Sequence, residues 1–109
     1  MTKEQAIDLS VDEIMKKERL QRRFDPGHVR HMVALWARLV PRVDSLLKAM
    51  DYKALWGCEE IDIPFRSIGK ASLIALLSEG SDPTEGCDFL FLMINGIVAV
   101  YNRHVERLS

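Results

Sequence analysis

The uncharged segment at residues 89–101, FLFLMINGIVAVY, constrains the fold more than any other part of the chain. It is apolar on every face of a helix, and such a helix belongs in the interior of a protein. Its 13 residues are fewer than the roughly 18–20 that a helix needs to cross a bilayer. The segment therefore predicts a buried C-terminal helix at the centre of a compact all-α bundle.

Charges flank this segment in the order that a helix dipole favours. Asp88 precedes it, and cations follow it at Arg103, His104 and Arg107. Carboxylates stabilise the positive N-terminal end of a helix, and cations stabilise the negative C-terminal end. The pattern predicts one continuous helix from about residue 89 to about residue 108.

Two residues within the segment, Asn95 and Gly96, interrupt the apolar run. A buried amide has to find hydrogen-bond partners and tends to fix one packing arrangement. Glycine allows another part of the backbone to approach closely. We interpret both residues as interior packing within the domain.

The composition is that of a folded intracellular domain. The chain has 109 residues, of which 48% are hydrophobic and 28% are charged, and this predicts a single domain over residues 1–109, with residues 1–9 as a flexible tail. The two cysteines, Cys58 and Cys87, form no CxxC pair, so neither a zinc site nor a disulfide framework is predicted. The N-terminal sequence has no apolar core of the kind that a secretory signal requires, which predicts a cytoplasmic or nuclear location.

Capping signals place the first helices. Ser10 and Glu13 form an S-x-x-E capping box, which predicts a helix over residues 11–24. Asp25 and Pro26 fit an N-cap and a first-turn proline, and they predict the start of a second helix. Apolar residues at spacings of three and four follow this start, as in a helix with one buried face.

Proline and glycine mark the remaining boundaries. Pro41 either ends the second helix or kinks one long helix, and the helical pattern continues to Gly57. A short helix is predicted between Gly69 and Gly80, and residues 81–86, SDPTEG, are predicted to form a turn or loop. With the C-terminal helix, the bundle is predicted to contain about five helices.

Residues 58–66 have the period of an extended segment rather than that of a helix. Ile61, Ile63 and Phe65 alternate with two acidic residues and with Pro64, as side chains do along extended backbone. Pro64 excludes a central strand, and the sequence offers no clear second strand. The segment is predicted to be an extended loop across the bundle or a lone edge strand.

No combination of residues predicts catalysis. An enzyme requires a nucleophile beside a base, a pair of carboxylates in a cleft or a glycine loop for phosphate, and spacing assembles none of these. His28 and His31 lie three residues apart on a predicted helix, but Asp25 is the sole nearby carboxylate and no cysteine is close. We therefore interpret both histidines as surface residues, and we predict no catalytic residue, metal or cofactor.

The run KKERLQRR at residues 16–23 carries five cations and one anion. Its basic residues are Lys16, Lys17, Arg19, Arg22 and Arg23. A patch of this kind can bind the phosphates of a nucleic acid. However, the net charge of the chain is −1, and aromatic residues do not alternate with the cations as on a single-strand binding surface. A solvated helix face is the simpler interpretation.

Large apolar residues define a predicted binding groove between the helical stretch that ends at Gly57 and the extended segment. The groove residues are Tyr52, Trp56, Ile61, Ile63 and Phe65. Tryptophan and tyrosine are enriched at binding hot spots, and a partner helix or peptide could lie along such a groove. The competing interpretation places these residues, like Trp36, in the core.

Residues 61–108, with IDIPFRSIGKASLIALLSEG and FLFLMINGIVAVYNRHVERL, resemble helical segments of the giant AAA+ RING ubiquitin ligases of the mysterin type. The similar positions are Leu90, Ile94, Asn95, Val98, Tyr101, Asn102 and Val105. The resemblance covers less than half of the chain, and the sequence lacks the RING cysteines and the nucleotide-binding loop of that family. It therefore implies no activity, and it implies a non-catalytic scaffold module from a large assembly.

Charge is distributed unevenly along the chain. Residues 16–48 hold nine Lys or Arg against three Asp or Glu, and residues 49–102 hold three against eight. Opposite patches orient partners and raise encounter rates.

The sequence predicts a non-catalytic protein-interaction or scaffold module that binds a partner helix or peptide in an apolar groove. The alternatives are nucleic-acid binding through the basic first helix and self-association through the oppositely charged halves.

Overall fold

The computed structural model describes residues 2–50, 65–80 and 83–106, with side chains over residues 2–50, 67–80 and 84–105. These residues form six helices and no strand, which confirms the predicted all-α class. The helices are α1 (Lys3–Met15), α2 (Glu18–Arg23), α3 (Pro26–Ala49), α4 (Phe65–Ser78), α5 (Pro83–Ile94) and α6 (Ile97–Glu106).

Contacts within the chain divide it into two compact units. Unit 1 comprises Met1–Ala37 and Ile94–Ser109, and unit 2 comprises Arg38–Met93. In unit 1, α1 packs along α6 and also contacts α2. The predicted single domain over the whole chain stays a prediction.

Helix α1 begins eight residues earlier than the capping signal at Ser10 predicted. Thr2 and Gln5 form the capping box instead: the Gln5 amide donates to Thr2 Oγ1 at 3.2 Å, and the Thr2 amide donates to Gln5 Oε1 at 2.7 Å. Ser10 lies inside the helix, where its buried hydroxyl donates to the Ala6 carbonyl at 2.7 Å. The predicted tail at residues 1–9 is therefore wrong from Lys3 onward, because Ala6 and its neighbour Ile7 are core residues.

The predicted helix over residues 11–24 is two helices, with a break at Lys16 and Lys17. On one continuous helix, Leu20 would point about 120° away from Ile14, because each residue turns the helix by about 100°. Both side chains are buried in unit 1. The break between α1 and α2 turns Leu20 toward the core.

Helix α3 begins as the sequence predicted, with Asp25 as its N-cap. The His28 amide donates to Asp25 Oδ1 at 2.9 Å, and Pro26 is the first helical residue. Pro41 lies within this helix, so the helix does not end there. Proline removes one amide from the helical ladder, and Pro41 lies at an exposed position of α3.

In unit 2, α4 and α5 run antiparallel and approach each other at two glycines. A Cβ added to Gly69 would lie 3.8 Å from Leu90 Cδ2, and one added to Gly86 would lie 3.8 Å from Leu73 Cδ2. Gly69 was predicted to precede a helix, whereas α4 already begins at Phe65. The predicted extended segment is therefore wrong at residues 65–66, and residues 58–64 lie outside the described part of the chain.

The apolar C-terminal segment forms two helices instead of the single predicted one. α5 starts at Pro83, inside the predicted loop, and ends at Ile94; α6 starts at Ile97. Gly96 has a φ of +97°, and a left-handed residue ends a right-handed helix. Asp88 therefore lies inside α5, whereas Arg103 and His104 do occupy the last turn of α6.

The segment is largely buried, as its composition predicted. Its core residues are Phe89, Leu92, Met93, Ile97, Val100 and Tyr101. Ile94 is the exception, since 67% of its surface is exposed. A helix that ends at Ile94 no longer has to bury every face.

Candidate interaction surfaces

The predicted groove cannot be located in the described part of the chain. Tyr52, Trp56, Ile61 and Ile63 lie outside the described residues, and Phe65 is described in its backbone alone, as the first residue of α4. The groove therefore stays a prediction. Trp36, the other tryptophan, is fully buried in α3, which favours the core interpretation for that residue.

One face of α4 exposes two aliphatic side chains. Ile74 is 39% exposed and Leu77 is 64% exposed. Residues three apart are neighbours on a helix surface, and Lys70 lies on the same face one turn before Ile74 and is also exposed. The opposite face buries Ile68, Ala71, Ala75 and Leu76.

Two cations of the predicted basic patch hold the break between α5 and α6. The Lys17 ammonium donates to the Asn95 carbonyl, and Arg19 Nη2 donates to Asn95 Oδ1 at 2.7 Å. The last carbonyls of a helix lack helical partners and attract cations. Asn95 is buried, and these contacts confirm that its amide has hydrogen-bond partners.

The other three basic residues of the patch are exposed, as Lys17 and Arg19 are. Arg22 Nη2 donates to Glu18 Oε1 at 2.6 Å, and both side chains are largely exposed. The Arg23 guanidinium lies over the Phe24 ring, 5.6 Å from its centroid. Lys16 is exposed at the end of α1. All five basic residues of the predicted patch are therefore exposed, and two of them, Lys17 and Arg19, also contact Asn95.

The exposed residue Ile94 lies next in sequence to Asn95, and the sequence analysis missed it as a surface residue. It directly precedes Asn95, which both Lys17 and Arg19 contact. The signal was present in the Asn95–Gly96 dipeptide, which commonly marks a turn. A helix end at that point frees the preceding side chain from the interior.

Charged residues also join α1 to α6 and to α3 within unit 1. Arg103 Nη2 donates to Glu13 Oε2 at 2.7 Å, and His104 Nε2 lies 3.6 Å from Glu13 Oε1. Arg30 contacts Glu4 at 3.0 Å and Asp8 at 3.1 Å. The hydrogen bonds that Arg30 donates, first to Glu4 and then to Asp8, raise its pKa. Exposed ion pairs of this kind contribute little to stability.

Tyr101 is expected to make the stability of unit 1 depend on pH in the alkaline range. Burial first, and then the Glu4 carboxylate, raise the pKa of this phenol above 10.0. The pKa of Tyr101 is higher in the folded than in the unfolded protein. The free energy of unfolding therefore keeps its full value below pH 10 and falls as the pH rises through the folded pKa. We expect Tyr101→Phe to lose less stability than the parent protein between about pH 9 and about pH 11 in urea titrations.

The matching control measures the ionisation of the Tyr101 phenol directly. In the Tyr52→Phe variant, phenolate absorbance reports on Tyr101 alone, because the chain has two tyrosines. Ionisation at the pH of a free tyrosine, or equal loss of stability in Tyr101→Phe, would contradict the prediction.

No described cluster suggests a metal or catalytic site. The part of the chain that the structure describes contains no group of three or more His, Cys, Asp or Glu residues placed to hold a metal ion. The His28 ring stacks on Phe24, with 5.5 Å between the ring centroids. Neither His28 nor His31 therefore joins such a group.

Within the described ranges, no single helix has both the length and the apolar character that a bilayer span needs. The successive helices α5 and α6 meet the test jointly, with a bend at their break, and core helices of other proteins meet it as well.

Comparison with protein-family models, curated proteins and solved structures found no match. The resemblance to mysterin-type ligases therefore stays a prediction. The structure defines the class of the protein as all-α over the described residues, and arguments about function depend on its surfaces.

Proposed function

We propose that this protein is a non-catalytic interaction module that binds a partner helix or peptide through the exposed face of α4. The observation that carries the proposal is the pair Ile74 and Leu77, which are 39% and 64% exposed and lie one turn apart. Single exposed aliphatic residues are ordinary on protein surfaces. Two of them in helical register match the anchor spacing with which amphipathic helices dock.

The charge and the area of the exposed α4 face indicate further properties of the expected partner. Lys70 precedes Ile74 by one turn on the same exposed face, so a partner with a carboxylate beside its apolar anchors would be complementary. Two aliphatic anchors bury much less area than the roughly 1,200 Å² of a stable complex. We therefore expect a dissociation constant on the order of micromolar to millimolar for this face alone.

The test is affinity capture from cell lysate with the tagged full chain and its Leu77→Asp variant. A buried leucine contributes roughly 1.5–3 kcal/mol, so the charge substitution should reduce recovery of a true partner about tenfold or more. Leu77 is 64% exposed, so the variant should fold, and circular dichroism checks this. Leu9→Asp is the matched control, since Leu9 is an exposed leucine on a different helix.

Two further arms separate the alternatives. Nuclease treatment and the Arg22→Glu/Arg23→Glu variant should leave recovery unchanged, because the proposed face contains neither arginine. If recovery falls under both treatments and not with Leu77→Asp, the surface cations bind nucleic acid and the proposal is wrong. Equal losses with Leu77→Asp and Leu9→Asp would show a general effect of lost apolar surface and would also contradict it.

A further inference from the structure

A second surface lies in unit 1, on residues that the proposed function does not use. We define it as the Ile94 surface, comprising Ile94, Lys17 and Arg19. We propose that the Ile94 surface binds an acidic peptide segment that carries an aliphatic or aromatic side chain among its carboxylates.

The apolar part of this surface is unusually exposed. Ile94 is 67% exposed, the highest value among the exposed large hydrophobic residues of the described chain. Burying an isoleucine side chain is favourable by roughly 1.5–3 kcal/mol. One such residue does not define a binding surface, so the argument depends on the charges fixed beside it.

Lys17 and Arg19 are both held by Asn95, the residue next to Ile94. Lys17 donates to its carbonyl, and Arg19 donates to its side-chain oxygen at 2.7 Å. Both acceptors are neutral oxygens, so these contacts do not neutralise the charge of either cation. Within the described ranges, neither cation is paired with a carboxylate, and Asn95 already restricts both side chains, which lowers the entropy cost of binding.

The arrangement of charge and apolar surface favours a peptide over a nucleic acid. A phosphate backbone gains from cations alone, so it would leave Ile94 exposed. No aromatic side chain is found within Lys16–Arg23 to stack on a base. A peptide with carboxylates around an apolar side chain would satisfy the cations and cover Ile94 together.

The experiment measures binding of three labelled probes to the full chain by fluorescence anisotropy. The first probe is a synthetic acidic peptide of about 15 residues with glutamate and leucine at helical spacing. The second replaces each glutamate with glutamine, and the third is single-stranded DNA of equal charge. We expect the acidic peptide to bind at least about tenfold more tightly than the glutamine peptide.

Serine variants of three exposed aliphatic residues, Ile94, Leu9 and Leu77, locate the binding site. Ile94→Ser should weaken the acidic peptide about fivefold to tenfold and leave DNA binding unchanged. Leu9→Ser, an exposed aliphatic residue elsewhere in unit 1, should change neither. Circular dichroism confirms that each variant folds.

Each contrary result has a defined meaning. If Leu77→Ser weakens the acidic peptide and Ile94→Ser does not, the peptide binds α4, which overturns this inference and supports the proposed function. If DNA binds more tightly than the peptide and Ile94→Ser changes the binding of neither probe, the cations bind nucleic acid and the inference is overturned. Absence of peptide binding at about 1 mM would also overturn the inference.

Discussion

Trp36→Ala is expected to lower the free energy of unfolding by about 3–5 kcal/mol, the usual cost of removing a large aromatic side chain from a packed core. Trp36 is fully buried in α3. The sequence left open whether large apolar residues of this chain serve the core or a partner. Urea denaturation of the full chain, followed by circular dichroism, measures the change directly.

Leu77→Ala is the matched control for this prediction. Its side chain is 64% exposed, so we expect a change within about 0.5 kcal/mol. A loss of less than about 1 kcal/mol for Trp36→Ala would contradict its place in the core. A large loss for Leu77→Ala would show that this face of α4 packs within the protein and is not available to a partner.

The second large effect is expected from Gly96→Ala. Gly96 has a φ of +97°, where an alanine costs roughly 1–2 kcal/mol. Its new Cβ would also lie 3.2 Å from Lys17 Nζ. Moving the ammonium would weaken its hydrogen bond to the Asn95 carbonyl. We expect a total destabilisation of about 2–3 kcal/mol, measured by urea denaturation.

Gly80→Ala separates backbone strain from the contact with Lys17. Gly80 has a φ of +81°, but no heavy atom lies within 4 Å of its added Cβ. It should therefore cost about 1 kcal/mol, from strain alone. In a Lys17→Met background, Gly96→Ala should fall to the cost of Gly80→Ala. An unchanged excess in that background would show that Lys17 is not responsible for it.

Local sequence signals predicted the all-α class correctly, but they predicted only some of the positions at which helices begin and end. Asp25 capped α3 as predicted, because an N-cap acts on amides two or three residues away. The box at Ser10 was wrong because Thr2 and Gln5 form an equivalent box upstream, and burial of Ala6 selects the longer helix. The pattern T-x-x-Q at the N-terminus could have revealed this alternative.

A second Asp-Pro pair shows where the same rule was overlooked. Pro83 is the first residue of α5, just as Pro26 is the first of α3. The sequence analysis assigned residues 81–86 to a loop because glycine, serine and proline are frequent there. Breaker residues mark a boundary, but proline also starts helices. Composition alone did not distinguish these two roles.

The candidate surfaces were harder to predict than the helices. Ile74 and Leu77 lie on the predicted short helix, and their exposure depends on which face of that helix meets the rest of unit 2. Ile94 is part of an uncharged run, and its exposure follows from the helix end at that residue. Sequence spacing assigns residues to faces of a helix, but it does not state which face remains uncovered.

The sequence by itself determined the all-α class, the start of α3 and the need of Asn95 for hydrogen-bond partners. Each depends on interactions between near neighbours or on the cost of burying a polar group. The tertiary structure decided that Asn95 binds Lys17 and Arg19, and that Ile94, the residue before Asn95, stays exposed. Arg19 and Asn95 are 76 residues apart, and local propensity carries no information over that separation, because packing of distant segments brings such groups together.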